Sequence, residues 1–288
     1  MGASRRSLAE ALGPVQPVWH AESEPSQVPG MGVFHNLGLG FEVPGLARCV
    51  DDLTLQRDLD KKAAPKSGWY RVVSDDQRLL HLAQRHCSPA APIDEVLDPL
   101  ARIFGTRVHQ AGGLYRLPDP DGRAVAMAAP LPGERERACE LITEPLGPER
   151  ESRLHGLVQT AAELGFRPAY EGATHIHLDG AHLRNPERLQ AFARRWLEAQ
   201  GDFPRSPQHR RVGPWSEELC LVLLDPGFAR LDWLTAAARL KGVSTKYCDL
   251  NLRGLAGGGP TVELRVLPAC LDVALILEWV ERFVALSR

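Results

Sequence analysis

Long apolar runs are missing from the chain. Its longest apolar stretches, residues 219–224 and 273–277, fall far short of the roughly 20 residues that a membrane-spanning helix needs. Near the start, Arg5, Arg6 and Glu10 precede a Gly-Pro break, whereas a secretory signal would continue into an apolar run. We therefore expect no membrane span and a cytoplasmic location.

A large net charge of either sign is also absent. Lys and Arg total 34 and Asp and Glu total 36, which leaves a net charge of −2. Dedicated binders of nucleic acid or of anionic membranes usually carry a strongly basic surface. The sequence therefore predicts that neither nucleic acid nor a membrane is a partner.

Closely spaced cysteine pairs are the third absence. No Cys-x-x-Cys spacing occurs among the six cysteines, which are Cys49, Cys87, Cys139, Cys220, Cys248 and Cys270. Because zinc ribbons and disulfide frameworks depend on such pairs, the thiols are expected to be reduced and mostly buried. By contrast, the 26 glycines and 23 prolines exceed the usual share and predict many loops.

The 288 residues have the hydrophobic fraction of an ordinary globular protein, 44%. Residues 1–30, with a short amphipathic piece at 7–12, are interpreted as a flexible lead-in, and 31–288 as a single catalytic domain with an insertion or cap at about 46–112.

Helical spacing and terminal signals predict helices at 75–84, 94–104, 148–165, 185–201, 225–242 and 272–288. Alternation and turn residues predict a strand at 34–43, a hairpin around 118–122 and a strand at 140–144.

Three segments alternate polar and apolar residues with the period of two that is typical of half-buried strands. They are residues 174–179, 247–253 and 262–266. Their polar positions hold His175, His177, Asp179, Tyr247, Asp249, Asn251, Arg253, Glu263 and Arg265. One side of an antiparallel sheet commonly meets water, but such a face is usually rich in Lys, Glu, Thr and Ser. A set without lysine, rich in imidazole, carboxylate and guanidinium groups, favours a functional site.

Individual motifs leave more than one chemistry open. His175, His177 and Asp179 match a His-x-His-x-Asp pattern, which also occurs in hydrolases because two imidazoles on one strand face can reach a common zinc ion. Arg205 and Arg210 lie in a proline-rich loop. There they either bind phosphate through the planar guanidinium group or are solvated charge.

An ordered set of motifs runs along the chain. It comprises Gly-Phe-Glu at 40–42, Asp-Gly at 121–122, Glu-Leu-Ile-Thr-Glu-Pro-Leu at 140–146, Thr-His-Ile-His-Leu-Asp at 174–179, the segment 247–253, Thr-Val-Glu-Leu-Arg at 261–265, and a last amphipathic helix with Trp279. In this order the motifs resemble the amidoligase family of glutamine-synthetase-like carboxylate–amine ligases, over about residues 33–45 and 113–288. Two positions depart from the family pattern: Pro44 stands where a second acid usually follows the first, and Arg123 where a serine usually completes the Asp-Gly turn.

The resemblance implies an α+β fold in which a curved antiparallel sheet, a glutamine-synthetase-like half-barrel, is backed by α-helices. It implies a ligase that uses ATP and Mg²⁺, or Mn²⁺ in its place. Such an enzyme joins a small-molecule or peptide carboxylate to an amine or ammonia through an acyl phosphate, and an oligomer is compatible with this activity. The implied metal ligands are Glu42, Glu140, His175 and Glu263, the nucleotide-binding residues are His177, Asn251 and Arg253, and the residues on the transferring phosphate are Arg265, Arg205 and Arg210. The alternatives are a zinc-dependent hydrolase using the His-x-His-x-Asp strand and a non-catalytic binding protein of the same fold.

Overall fold

The computed structural model describes residues 4–25, 33–51, 63–131, 138–206 and 212–288. These residues form eleven β-strands and nine α-helices, and the chain divides into two compact units, Met1–Phe166 and Arg167–Arg288. The strand ladders are antiparallel, which confirms the expected combination of α-helices with antiparallel sheet. No helix within the described ranges is long and apolar enough to cross a membrane.

The described part of the first unit holds one eight-stranded sheet and four helices. The strands are β1 (Gln16–Pro25), β2 (Val33–Val43), β3 (Ala47–Asp51), β4 (Tyr70–Ser74), β5 (His109–Ala111), β6 (Leu114–Pro118), β7 (Ala124–Pro130) and β8 (Cys139–Thr143). The helices are α1 (Arg5–Leu12), α2 (Gln77–His86), α3 (Asp98–Phe104) and α4 (Arg150–Glu163). Strand β2 pairs with β1 along its length, and with β4 and β3 through residues 35–38 and 41–43.

Alternation along β2 gives this sheet two different faces. Leu39 lies in a buried cluster with residues of α2 and α3, and Phe41 lies in a second cluster with residues of α1 and α4. Because successive side chains of a strand point to opposite faces, Gly40 and Glu42 lie on the other face. The helices therefore back the apolar face of β2, and Glu42 belongs to the opposite, polar face.

The described part of the second unit combines a small sheet with five helices. The strands β9 (Ala173–Asp179), β10 (Leu250–Asn251) and β11 (Thr261–Pro268) pair in the order β10-β11-β9. The helices are α5 (Pro186–Ala199), α6 (Glu217–Leu224), α7 (Trp233–Val243), α8 (Arg253–Ala256) and α9 (Val273–Ser287). Four of them begin at a side chain that accepts a hydrogen bond from a backbone N–H of the first turn, as N-caps do: Asn185, Ser216, Asp232 and Asp272.

Most predicted elements match observed ones to within a few residues. The prediction of a flexible lead-in is wrong over residues 5–25. Helix α1 and strand β1 occupy that range, and β1 pairs with β2 from Gln16 opposite Glu42 to Pro25 opposite Val33. The polar, proline-containing sequence of β1 does not indicate a strand. The strand forms because β2 supplies partners for its backbone hydrogen bonds. Within the predicted cap, residues 47–51 and 70–74 form β3 and β4 of the same sheet.

Two segments of the second unit are shorter than predicted. The strand expected at 247–253 is reduced to β10 because the side-chain oxygen of Asn251 accepts a hydrogen bond from the backbone N–H of Arg253 at 2.9 Å, and α8 begins there. The helix expected at 225–242 begins only at Trp233, since the carboxylate of Asp225 accepts from the N–H of Gly227 at 2.9 Å and forms a turn. Local side-chain to backbone hydrogen bonds override the periodic pattern in both places.

Two helical glycines give opposite expectations for substitution by alanine. A Cβ atom on Gly254 in α8 would lie against the carbonyl oxygen of Thr261 and 2.7 Å from its hydroxyl oxygen, so Gly254→Ala should lower the free energy of unfolding by about 1–3 kcal/mol. Gly156 in α4 has nothing within 4 Å of that position, and Gly156→Ala should raise it by about 0.5–1 kcal/mol. Urea unfolding followed by circular dichroism measures both. Equal stability of Gly254→Ala and the wild type would contradict the close approach of α8 to β11.

Candidate functional site

The strands of the second unit set polar side chains in two rows across one face of the sheet. The register opposes Asn251 to Glu263, and Glu263 to His177. In the adjacent row, the backbone N–H of Arg265 donates to the carbonyl oxygen of Asp249 at 2.7 Å. The intervening apolar residues point to the opposite face and are buried: Leu250, Leu264 and Ile176.

Four side chains surround the carboxylate of Glu263, and we call the five residues the Glu263 cluster: Glu263, Arg265, His175, His177 and Asn251. The amide of Asn251 donates to Oε2 at 2.7 Å, and the guanidinium group of Arg265 donates to Oε1. The same Oε1 atom lies 3.4 Å from Nε2 of His177 and 3.5 Å from Nδ1 of His175. One carboxylate therefore orients a cation, two imidazoles and an amide.

Glu263 is nearly buried but remains ionised. Its side chain is only 10% exposed, and burial by itself raises the pKa of a carboxyl group. The hydrogen bond from His177, the charge of Arg265 and the amide of Asn251 outweigh burial and hold the pKa of Glu263 at about 2. Glu263 therefore carries its negative charge throughout the physiological pH range.

A β-bulge in β11 lies between Leu264 and Leu267, in the interval that contains Arg265. The register between β11 and β9 shifts between Leu264 and Leu267, so β11 contains one extra residue, a feature that often lies next to functional sites. While one terminal nitrogen of Arg265 holds Glu263, its Nε is buried and has no hydrogen-bond acceptor among the described residues. Since a guanidinium group has five N–H donors, Arg265 retains donors for an acceptor that a ligand would bring.

Arg205, predicted to contact phosphate, forms a two-point ion pair with Asp249. One terminal nitrogen donates to Oδ1 at 2.9 Å and the other donates to Oδ2. The Asp249 side chain is 1% exposed and that of Arg205 is 46% exposed. Because a buried carboxylate without a partner costs several kcal/mol, Arg205 neutralises Asp249.

Asp249 belongs to the polar set found in the sequence but has no role among the predicted site residues. The period-two alternation places it on the polar face with Asn251, and that signal could have identified it. Its partner Arg205 lies 44 residues earlier in a loop without a periodic pattern, so only the tertiary structure joins the two side chains.

Asn251 and Arg253, predicted to bind the nucleotide, occupy different environments. Asn251 is buried, donating to Glu263 through its amide and accepting from the backbone N–H of Arg253 through Oδ1. Both ends of its side chain are therefore engaged, and Asn251 positions Glu263. The side chain of Arg253 is exposed at the first residue of α8.

Glu42 and Glu140, two predicted metal ligands, lie in the first unit. Oε1 of Glu42 accepts from Nε and a terminal nitrogen of Arg48 at 3.2 and 3.1 Å, and Oε2 accepts from the amide of Gln16 at 3.2 Å. The register opposes Glu42 to Arg48, and Glu140 to Val50. Because residues two apart on a strand share a face, both acids lie on the polar face of this sheet.

The predicted residues do not form a complete metal-binding group on their own. Within the described ranges, no three or more His, Cys, Asp or Glu side chains are arranged to hold a metal ion. Asp179, which would complete the His-x-His-x-Asp pattern, accepts a hydrogen bond from the N–H of Ala181 at 2.8 Å at the end of β9. Arg210 lies outside the described residues.

Comparisons with known proteins identify no relative of this chain: no family model, no curated protein and no solved structure matches it. A function therefore has to be proposed from the contacts of the Glu263 cluster together with the sequence motifs. Of the predicted residues, the structure brings five into mutual contact in that cluster, with the Arg205–Asp249 pair beside it.

Replacing Glu263 by its neutral isostere should change stability in a pH-dependent way. The pKa is about 2 in the folded protein against an ordinary value of 4.5. The carboxylate therefore contributes fully above pH 4.5, and its contribution is lost as the pH falls towards 2. We expect Glu263→Gln to lower the free energy of unfolding by at most about 3 kcal/mol at neutral pH, and by progressively less below pH 4.5.

Urea unfolding at a series of pH values measures this difference. The matched control is Glu278→Gln, because Glu278 pairs with Arg282 on the surface of α9 and its side chain is 51% exposed. An exposed pair contributes about 0–1 kcal/mol, so the control should stay close to the wild type at every pH. A loss in Glu263→Gln that is the same at all pH values would show that the carboxylate is not held ionised by its neighbours.

Proposed function

We propose that the chain is an ATP-dependent carboxylate–amine ligase that forms an amide bond through an acyl phosphate. One observation carries the proposal: Arg265 is held by an ionised, nearly buried Glu263 and keeps a buried Nε donor without an acceptor among the described residues. An oriented guanidinium group with unused donors suits a phosphoryl group, which it can contact at two points. The motif order that resembles the amidoligase family supports the same reaction.

The proposed reaction needs a positive charge where the substrate carboxylate meets the γ-phosphate of ATP. An oxygen of the substrate carboxylate attacks the γ-phosphorus of ATP, and the bond from that phosphorus to the ADP oxygen breaks. The amine then attacks the acyl carbon, phosphate leaves, and the amine nitrogen loses a proton. Two anions meet in the first step, so a planar cation aimed at the transferring group lowers the barrier. In the proposal Arg265 is that cation, and Glu263 and Asn251 position it.

The donor set of the cluster fits a divalent ion that arrives with the nucleotide. Mg²⁺ is usually bound through one or two protein carboxylates together with substrate phosphates, and Glu263 supplies one ionised carboxylate beside two imidazoles. Bound there, Mg²⁺ or Mn²⁺ would neutralise phosphate charge. Glu263 and His175 would be its ligands in the second unit.

The zinc-hydrolase alternative has less support. It requires Asp179 to act together with His175 and His177, but the carboxylate of Asp179 is engaged by the N–H of Ala181. The two imidazoles instead lie near Oε1 of Glu263. A non-catalytic binding protein of the same fold is the other alternative, and the experiment below distinguishes all three.

Thermal unfolding with nucleotide and metal tests the proposal at the level of binding. We expect ATP to raise the melting temperature in the presence of Mg²⁺ or Mn²⁺, and the protein to release ADP when a carboxylate mixture is added. Hydroxylamine, used in place of the unknown amine, should trap the acyl phosphate as a hydroxamate. Zinc retained through purification would support the hydrolase, and nucleotide binding without any ADP release would support the binding protein.

Arg265→Lys tests the role of the guanidinium group. Lysine keeps the charge but loses the planar two-point contact, so the single-turnover rate of acyl-phosphate formation should fall about 1000-fold, while the Kd for ATP changes less than about tenfold. Arg282→Lys is the control, since Arg282 pairs with Glu278 on the exposed side of α9. Equal rates in Arg265→Lys and the wild type would reject Arg265 as the phosphate-binding residue.

A further inference from the structure

A small apolar cavity lies in the first unit, away from the polar face that carries Glu42. Its volume is about 290 Å³, and its wall includes Pro17, Leu39, Phe41, Tyr70, Pro89 and Pro92. Leu39 and Phe41 belong to the helix-backed face of β2, so the cavity and Glu42 lie on opposite faces of the same sheet. A ligand in this cavity is therefore separated by the sheet from Glu42, the predicted metal ligand on the other face.

The cavity has one charged lining residue, Arg6, in the first turn of α1. The centre of its guanidinium group lies 4.9 Å from the ring centroid of Phe41 and 5.4 Å from that of Trp69. Within the part of the chain that the structure describes, Arg6 makes neither a hydrogen bond nor an ion pair, whereas its neighbour Arg5 is buried 3.6 Å from Asp51. A guanidinium group in cation–π contact with a ring still has N–H donors from which an anion can accept.

The walls and the volume restrict the uncharged part of a ligand. Proline rings and the Phe41 and Tyr70 rings offer flat apolar surfaces, and the Tyr70 hydroxyl is already used, because it donates to the carbonyl oxygen of Ala91 at 2.6 Å. A volume of about 290 Å³ exceeds the roughly 150 Å³ of a cavity that holds benzene. That size corresponds to one aromatic ring with a short acidic side chain.

We propose that this cavity binds a small aromatic carboxylate. The ring lies against the prolines and Tyr70, and the carboxylate accepts hydrogen bonds from the edge of Arg6. Burial of the ring supplies the hydrophobic part of the affinity, and the charge-assisted pair with Arg6 selects an acid over its neutral analogues.

Fluorine NMR with 4-fluorophenylacetate as the probe and the full chain as the receptor tests the proposal. The probe's resonance should broaden and shift saturably with protein. Its neutral amide, 4-fluorophenylacetamide, should bind at least tenfold more weakly, a difference that corresponds to about 1.4 kcal/mol. Binding of acid and amide with equal affinity, or no binding of the acid, would overturn the proposal.

Two variants test separately the charge of Arg6 and the space inside the cavity. Arg6→Gln should weaken binding of 4-fluorophenylacetate at least tenfold, and Ala90→Phe, at a lining position, should block the cavity while keeping Arg6. Arg78→Gln is the control, because Arg78 is a surface arginine paired with Asp76 at 2.6 Å outside the cavity lining. Circular dichroism confirms that each variant is folded. Unchanged affinity in Arg6→Gln or in Ala90→Phe would show that the acid binds elsewhere.

Discussion

The ion pair between Glu263 and Arg265 is the interaction on which the site in the second unit depends. A carboxylate this deeply buried is stable as an anion only because a guanidinium group, an amide and two imidazoles surround it. Each partner comes from a position that the backbone fixes: the register of β9 and β11 supplies the histidines, the bulge supplies Arg265, and the turn that ends β10 supplies Asn251. Three strands therefore position the groups that keep this one carboxylate ionised.

The parts of this site that could be predicted from the sequence are those set by local alternation. His175 and His177 share a face because a strand has a period of two, and Glu263 and Arg265 share one for the same reason. The pairing of Arg205 with Asp249 could not be predicted, since it joins a loop to the residue just before β10, 44 residues away. Strand β1 could not be predicted because it depends on pairing with β2, which the residues of β1 alone do not indicate. The early end of β10 depends on one side-chain hydrogen bond.

An acid paired with an arginine recurs on the polar faces of both sheets. The pairs are Glu42 with Arg48, Glu263 with Arg265, and Asp249 with Arg205; the first two carboxylates lie in strands and Asp249 lies just before β10. The three pairs differ in exposure, from the exposed side chain of Arg48 to the nearly buried pair at Glu263. Arginine keeps its charge at any physiological pH, so each of these acids has a cationic partner in the folded protein.

The pairing of Glu263 with Arg265 also affects which anions the second unit would bind. Glu263 acts as a resident competitor for Arg265: a ligand with a single weak negative charge offers the guanidinium group little that it does not already have. A multiply charged anion would offer the guanidinium group more charged oxygens than one carboxylate does. The Glu263–Arg265 pair would therefore disfavour singly charged anions such as chloride or acetate without any steric barrier, because they would replace one anionic partner of Arg265 by another.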